Sequence, residues 1–136
     1  MVRIIALGLI LAIGGIGLLV RLAPTDADRW HRKSQINADE DAIYGVRRYL
    51  PAGDQEMFVR LYYLAMTTKR TRVIAGSQEA GFVTFETRSL VFGFPDYTTI
   101  WLEEDGIRIF ARLRYGRSDL GVNRRRVDNW IARSMA

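Results

Sequence analysis

The chain contains no cysteine, which excludes a disulfide framework, a thiolate zinc site, a thiol nucleophile and lipid attachment through an N-terminal cysteine. Its redox compartment therefore cannot be read from cysteine usage. Histidine occurs once, at His31, with no second histidine or cysteine to share a metal ion, so neither a metal centre nor a cofactor is expected. Lysine occurs only at Lys33 and Lys69, and every other basic side chain is arginine. No serine sits in a strand-turn-helix nucleophile elbow. No helix-turn-helix, zinc or ribonucleoprotein motif is visible, so nucleic acid is not an expected partner despite the basic balance.

What remains is small and positively charged. With 136 residues and a net charge of +5, the chain has room for a membrane segment and one modest core. The preference for arginine suits phosphate or carboxylate partners, because a planar fork binds them better than a point charge. Arginine-rich codon usage produces the same skew.

Ile4 to Val20 runs for seventeen residues without a charge, bracketed by Arg3 and Arg21. As a helix it measures about 26 Å, enough to span a bilayer with little tilt. A secretory signal peptide shares these features, but a cut after Ala23 places Arg21 three positions back and Pro24 just beyond, both poor for signal peptidase. A cut after Ala27 is only slightly better, so an uncleaved anchor over residues 1–21 is expected. Gly8, Ala12 and Gly15 recur at helical spacing and form a small-residue face for another membrane helix. Counting positive charges places the following domain in the cytoplasm, since Arg21, Arg29, Arg32 and Lys33 outnumber Arg3 and the terminal amine.

Residues 22–42 are polar and aperiodic and read as a juxtamembrane linker, leaving 43–136 as a small domain. Within it, Ile43 to Leu50 has strand character. Asp54 is a candidate N-cap for a helix whose apolar face is Phe58, Leu61, Tyr62 and Ala65. Strands are expected over Arg72 to Gly76, Phe82 to Ser89, Tyr97 to Leu102 and Ile107 to Leu113, with a hairpin turn at Glu104, Asp105 and Gly106. The last strand alternates cleanly, Ile107, Ile109, Ala111 and Leu113 opposing Arg108, Phe110, Arg112 and Arg114. A closing helix buries Val127, Trp130 and Ile131, with Asn123 as its expected N-cap. The fold class is α+β: an N-terminal transmembrane helix, then a small antiparallel sheet with helices packed on one face.

The densest local signal is Arg114 to Val127, RYGRSDLGVNRRRV. Gly116 and Gly121 permit backbone geometries closed to other residues, and the following helix start offers free amides beside Arg117, Arg124, Arg125 and Arg126. Arg117, Ser118, Asp119, Asn123 and Arg124 are thus the candidate contacts for an anion or a partner. The competing reading is structural: Asp119 neutralises neighbouring arginines and the glycines turn the chain. Catalysis would have to use Asp96, Asp119 or Glu86 as general base and Ser89 or Ser118 as nucleophile, and no catalytic residue is assigned.

The stretches TRVIAGS at Thr71 to Ser77, GFPDYTTI at Gly93 to Ile100 and RYGRSDLGVNRRRV at Arg114 to Val127 resemble the bacterial family known as domain of unknown function 1499. The opening RLAPTDADRWH, Arg21 to His31, is similar to short membrane-anchored members from alphaproteobacteria. Ile43 to Asp54 departs from the family pattern, and the lipoprotein cysteine of longer members is missing. The resemblance implies an exported or membrane-attached protein and assigns no activity. It points to the bacterial inner membrane with a periplasmic domain, against the charge count. The reading that combines these features is a single-pass inner-membrane protein with a non-catalytic binding domain, an accessory or stabilising subunit of a membrane complex whose partners are lipids and another membrane protein. The alternatives are an anionic ligand or lipid-binding envelope module, and a hydrolase.

Overall fold

A computed structural model describes all residues, 1–136. The chain forms α1 (Val2–Leu22), α2 (Ala27–Trp30), β1 (Glu40–Ala42), β2 (Gly45–Leu50), α3 (Gln55–Met66), β3 (Thr71–Ser77), β4 (Phe82–Arg88), β5 (Pro95–Glu103), β6 (Gly106–Leu113) and α4 (Val122–Met135). The strands make one six-stranded sheet in the order β1-β2-β6-β5-β4-β3, antiparallel throughout. The α+β class, the apolar N-terminal helix and helices packed on the sheet all stand as expected from sequence.

Each element follows from local chemistry. Asp54 caps α3 by accepting the Met57 amide at 2.9 Å, and Met57, Phe58, Leu61 and Ala65 turn inward. On α4 the buried stripe is Val127 and Trp130, joined by Asn123 and Ser134. Both helices cover the sheet face built from Val46, Val83, Phe85, Ile100, Ile107, Ile109 and Ala111, closing a core of 13 buried residues. The Trp130 indole donates to Thr68 Oγ1 at 2.9 Å, so its single polar atom is satisfied inside the apolar layer.

Two expectations change. Ile43 to Leu50 is not one strand, because Ile43 and Tyr44 form the tip of a hairpin between β1 and β2. The short acidic strand β1 gave no apolar alternation, being an exposed edge that pairs on one side only. The second concerns residues 22–42. Their polar composition reads as a linker, yet residues 23–39 lie across the other face of the sheet. The strap begins with Thr25 at Glu86 (2.9 Å), continues with His31 at Thr84 (2.9 Å), and reaches Ile36 at Arg108 (2.7 Å).

The arginine side of β6 holds this strap. Arg114 donates to Pro24 O at 3.1 Å, Arg112 to Trp30 O, and Arg108 to Ile36 O at 2.7 Å. Carbonyls that lose water on packing require donors, and a strap without regular pairing takes them from side chains. Ring stacking completes the contact, Trp30 on Tyr97 at 4.2 Å between centroids and His31 on Phe82 at 3.7 Å. His31 is thus a packing residue, and burial lowers its pKa against the opposing pull of Asp28.

The indole of Trp30 is half-buried and also lies 5.4 Å from the Arg112 guanidinium. Replacing Trp30 with Ala should therefore destabilise the domain by about 2 kcal/mol. Denaturant unfolding of the full chain in detergent measures this, and protease cleavage within residues 23–39 should accelerate in parallel.

Candidate functional site

The junction between β6 and α4 folds around Asp119. Gly116 and Gly121 take φ of 90° and 76°, the left-handed region that glycine enters freely. The Asp119 carboxylate accepts the Gly121 amide at 2.8 Å and the Asn123 amide at 3.2 Å, and its own amide donates to Ile43 O at 3.1 Å. Asp119 therefore caps α4, and Asn123 lies inside the helix rather than at its cap. The reason is the left-handed turn at Leu120 and Gly121, which starts the helix beside the aspartate.

Three of the five residues read from sequence come together here. Ser118, Asp119 and Arg124 line a shallow pocket of about 400 Å³ with Asp41, Ile43 and Gly121. Arg117 is exposed and outside it, while Asn123 is fully buried behind it. The lining carries two carboxylates, Asp41 and Asp119, against the Arg124 guanidinium 3.5 Å from Asp41. At the helix start the Val122 amide donates to Asp119 O at 3.0 Å and the Asn123 amide to the Asp119 carboxylate, so two of the amides that would meet an anion are already taken. Nor does a catalytic pair form, since both Asp119 oxygens accept amides and Ser118 Oγ accepts the Leu120 amide at 3.2 Å.

A second basic region was not visible in sequence. Arg21, Arg70, Arg72 and Arg88 surround a cleft of about 450 Å³ at the end of α1, with Thr71, Glu86, Ser89 and Gly93. Strand register creates it, because Arg72 on β3 sits directly opposite Glu86 on β4. Glu86 is 1% exposed, accepting from Arg72 at 3.2 Å, Arg88 at 2.9 Å and the Thr25 hydroxyl at 2.9 Å. Burial would raise its pKa, but the Thr25 hydroxyl and the two guanidiniums outweigh that and hold it below the usual carboxylate range. A carboxylate so occupied is a structural counter-charge and not a general base.

A family model described as protein of unknown function (DUF1499) matches residues 23–133. The chain belongs to this family. The match begins directly after α1, so the strap falls within the unit that defines DUF1499, in agreement with its packing on the sheet. No curated protein and no solved structure matches the chain. The chemistry of this DUF1499 domain is therefore read from its own groups.

One further polar cluster lies under the start of α4. Asp96 stands 3.7 Å from Arg126, and Arg126 donates to Asn123 Oδ1 at 2.9 Å. Asn123 Nδ2 and Thr98 Oγ1 are buried without partners. Burial pushes the Asp96 carboxyl up to about 6, opposed by Arg126 and assisted by the charge of Asp119.

Two predictions come from this junction. Replacing Asp119 with Ala should cost about 1 kcal/mol through the lost cap, read by denaturant unfolding, with Asn a milder replacement. Asp96 keeps its proton in the folded chain to higher pH than in the unfolded chain. Its contribution to stability is therefore fully present below the ordinary value of 3.8 and lost as pH rises through about 6. Carbon-13 NMR of labelled aspartates should show one carboxyl titrating near pH 6, absent from Asp96→Asn.

Proposed function

We propose that this protein is a single-pass inner-membrane protein whose small domain is a non-catalytic binding module seated on the bilayer that anchors it. One observation carries the reading: the β4–β5 loop lies alongside α1. Val91 and Phe92 share a groove of about 470 Å³ with Ile13, Gly14, Gly17, Leu18 and Arg21. Ile13 lies eight residues before Arg21 in the chain, about 12 Å along the helix. A bilayer covering Ile4 to Val20 therefore also covers the tip of the loop.

The loop's composition agrees with that depth. Leu90 is 72% and Val91 70% exposed, a cost in water that an acyl environment removes. Phe92, Phe94 and Tyr115 form a chain of ring contacts at 5.5 and 6.2 Å, the kind of group found at membrane interfaces. Arg21 donates to Val91 O at 2.7 Å, tying the loop to the helix end. α1 is long and apolar enough to cross a membrane. That property fits an anchor or a signal sequence, and its contact with the loop supports the anchor. A periplasmic position for the domain rests on the exported character expected of the family.

The role of accessory subunit to a second membrane protein draws support from α1 itself. Beyond the adjoining residues and the backbone of α1 itself, no heavy atom comes within 4 Å of a Cβ placed on Gly8 or Gly15, so with Ala12 they leave a face open to another helix.

Because the chain has no cysteine, a single introduced one reports position without background. A dye on Val91→Cys in proteoliposomes should be quenched by lipids spin-labelled in the acyl chain, whereas one on Glu104→Cys, at the opposite end of the sheet, should not. A Val91 dye as open to aqueous iodide as the Glu104 dye defeats the seating. The Glu104→Cys chain should react with an impermeant maleimide in intact spheroplasts, and reaction only after lysis places the domain in the cytoplasm. Native gels after gentle solubilisation test the subunit role, which fails if the chain always migrates alone.

A further inference from the structure

The arginine cleft beside the anchor has more positive charge than its fold requires. Four guanidiniums, from Arg21, Arg70, Arg72 and Arg88, face one carboxylate, Glu86, which leaves three positive charges in excess. Each arginine spends part of its fork on the protein: Arg21 on Val91 O, Arg70 on Arg88 O, Arg72 on Glu86, and Arg88 on Glu86 and Gly93 O. The terminal nitrogens of Arg70 and Arg72 have no protein acceptor. These side chains are held at the stem and free at the end, which lowers the entropy cost of binding a ligand.

Arg70 lies in the turn before β3 at φ 57°, in the left-handed region that disfavours residues with a side chain. A glycine there would relax the backbone and remove one of four crowded positive charges.

We infer that this cleft binds a phosphate group, gripped by the free ends of Arg70 and Arg72 with Arg21 and Arg88 completing the charge. Guanidinium forks match phosphate oxygens in pairs. The position selects an anionic phospholipid as the source, because Arg21 is in the last turn of α1 and Val91 and Phe92 pack against that helix within the bilayer. A lipid bound there would place its headgroup in the cleft and its acyl chains beside the loop. A zwitterionic lipid brings its own cation toward three excess positive charges and binds less well. The lipid as source rests on the membrane seating proposed above, whereas phosphate binding does not.

The test uses the full chain purified in a neutral detergent and titrated with short-chain phosphatidylglycerol, phosphatidylcholine and inorganic phosphate, with occupancy read by native mass spectrometry and phosphorus NMR. Phosphatidylglycerol should bind more tightly than phosphatidylcholine, and Arg70→Gln with Arg72→Gln should weaken it on the order of tenfold. Arg47→Gln, on the far side of the sheet, should leave binding unchanged. Arg70→Gly separates binding from structure: it should weaken binding while the melting temperature holds or rises. Tight binding of inorganic phosphate, weakened by the same substitutions, upholds the cleft and makes a soluble phosphate its ligand. Absence of binding by all three probes, or binding indifferent to Arg70 and Arg72, overturns the inference. The cleft and the seating fail separately, since the Val91 quenching experiment does not involve Arg70 or Arg72.

Discussion

Arg108, Arg112 and Arg114 hold the chain's first polar segment against the back of the sheet, and the rest of the domain is arranged around that contact. Without it, the rings of Tyr97 and Phe82 would lose the Trp30 and His31 rings stacked on them. With it, the carbonyls of Pro24, Trp30 and Ile36 exchange water for guanidinium donors, so these three groups of an irregular segment pack with partners. Arg112 pays most for this arrangement: it is 8% exposed, and burial brings its pKa down to about 10. Hydrogen bonds to Thr99 and Phe110 O, and the faces of Trp30 and Phe110, keep it charged at neutral pH.

The strap also connects the fold to the apolar helix α1. Its first residues follow directly from α1, and Thr25 reaches Glu86 within three residues of Leu22. Glu86 therefore joins the strap to β3 through Arg72 and to β4 through Arg88. Arg88 continues to Gly93 O, and Arg21 to Val91 O, so the exposed apolar loop is bound both to the sheet and to α1. Loop, cleft and helix end form one connected corner of the molecule. This is why a charge cluster and an apolar patch lie side by side at the end of α1.

Legibility from sequence followed the range of the interactions. The α3 cap at Asp54, the alternation of Ile107 to Arg114 and the apolar stripe through Val127 and Trp130 are short-range patterns, and each formed as read. Asp119 was legible as a structural residue, though its partners are the Gly121 and Asn123 amides more than the arginines around it. Asn123 misled as a cap because cap preferences describe the residue before a helix, and the left-handed Leu120 and Gly121 moved that start. The strap was misread because polar composition normally signals solvation, whereas these residues are matched to an equally polar face. The arginine cleft had no local signature at all, its members being separated by up to 67 positions from Arg21 to Arg88.

Sequence alone determined the apolar helix, the α+β class, the strand periodicities and the family, because these depend on residue type and on spacing within a few positions. Tertiary structure decided which arginines are spent on the fold and which remain free. Arg108 and Arg112 on β6 and Arg72 on β3 are all arginines within strands, and only the register of β3 on β4 and the path of the strap separate their roles. A guanidinium buried against carbonyls satisfies the backbone, and one at the rim of a cleft keeps its donors. That difference is set by distance in space, which no local pattern encodes.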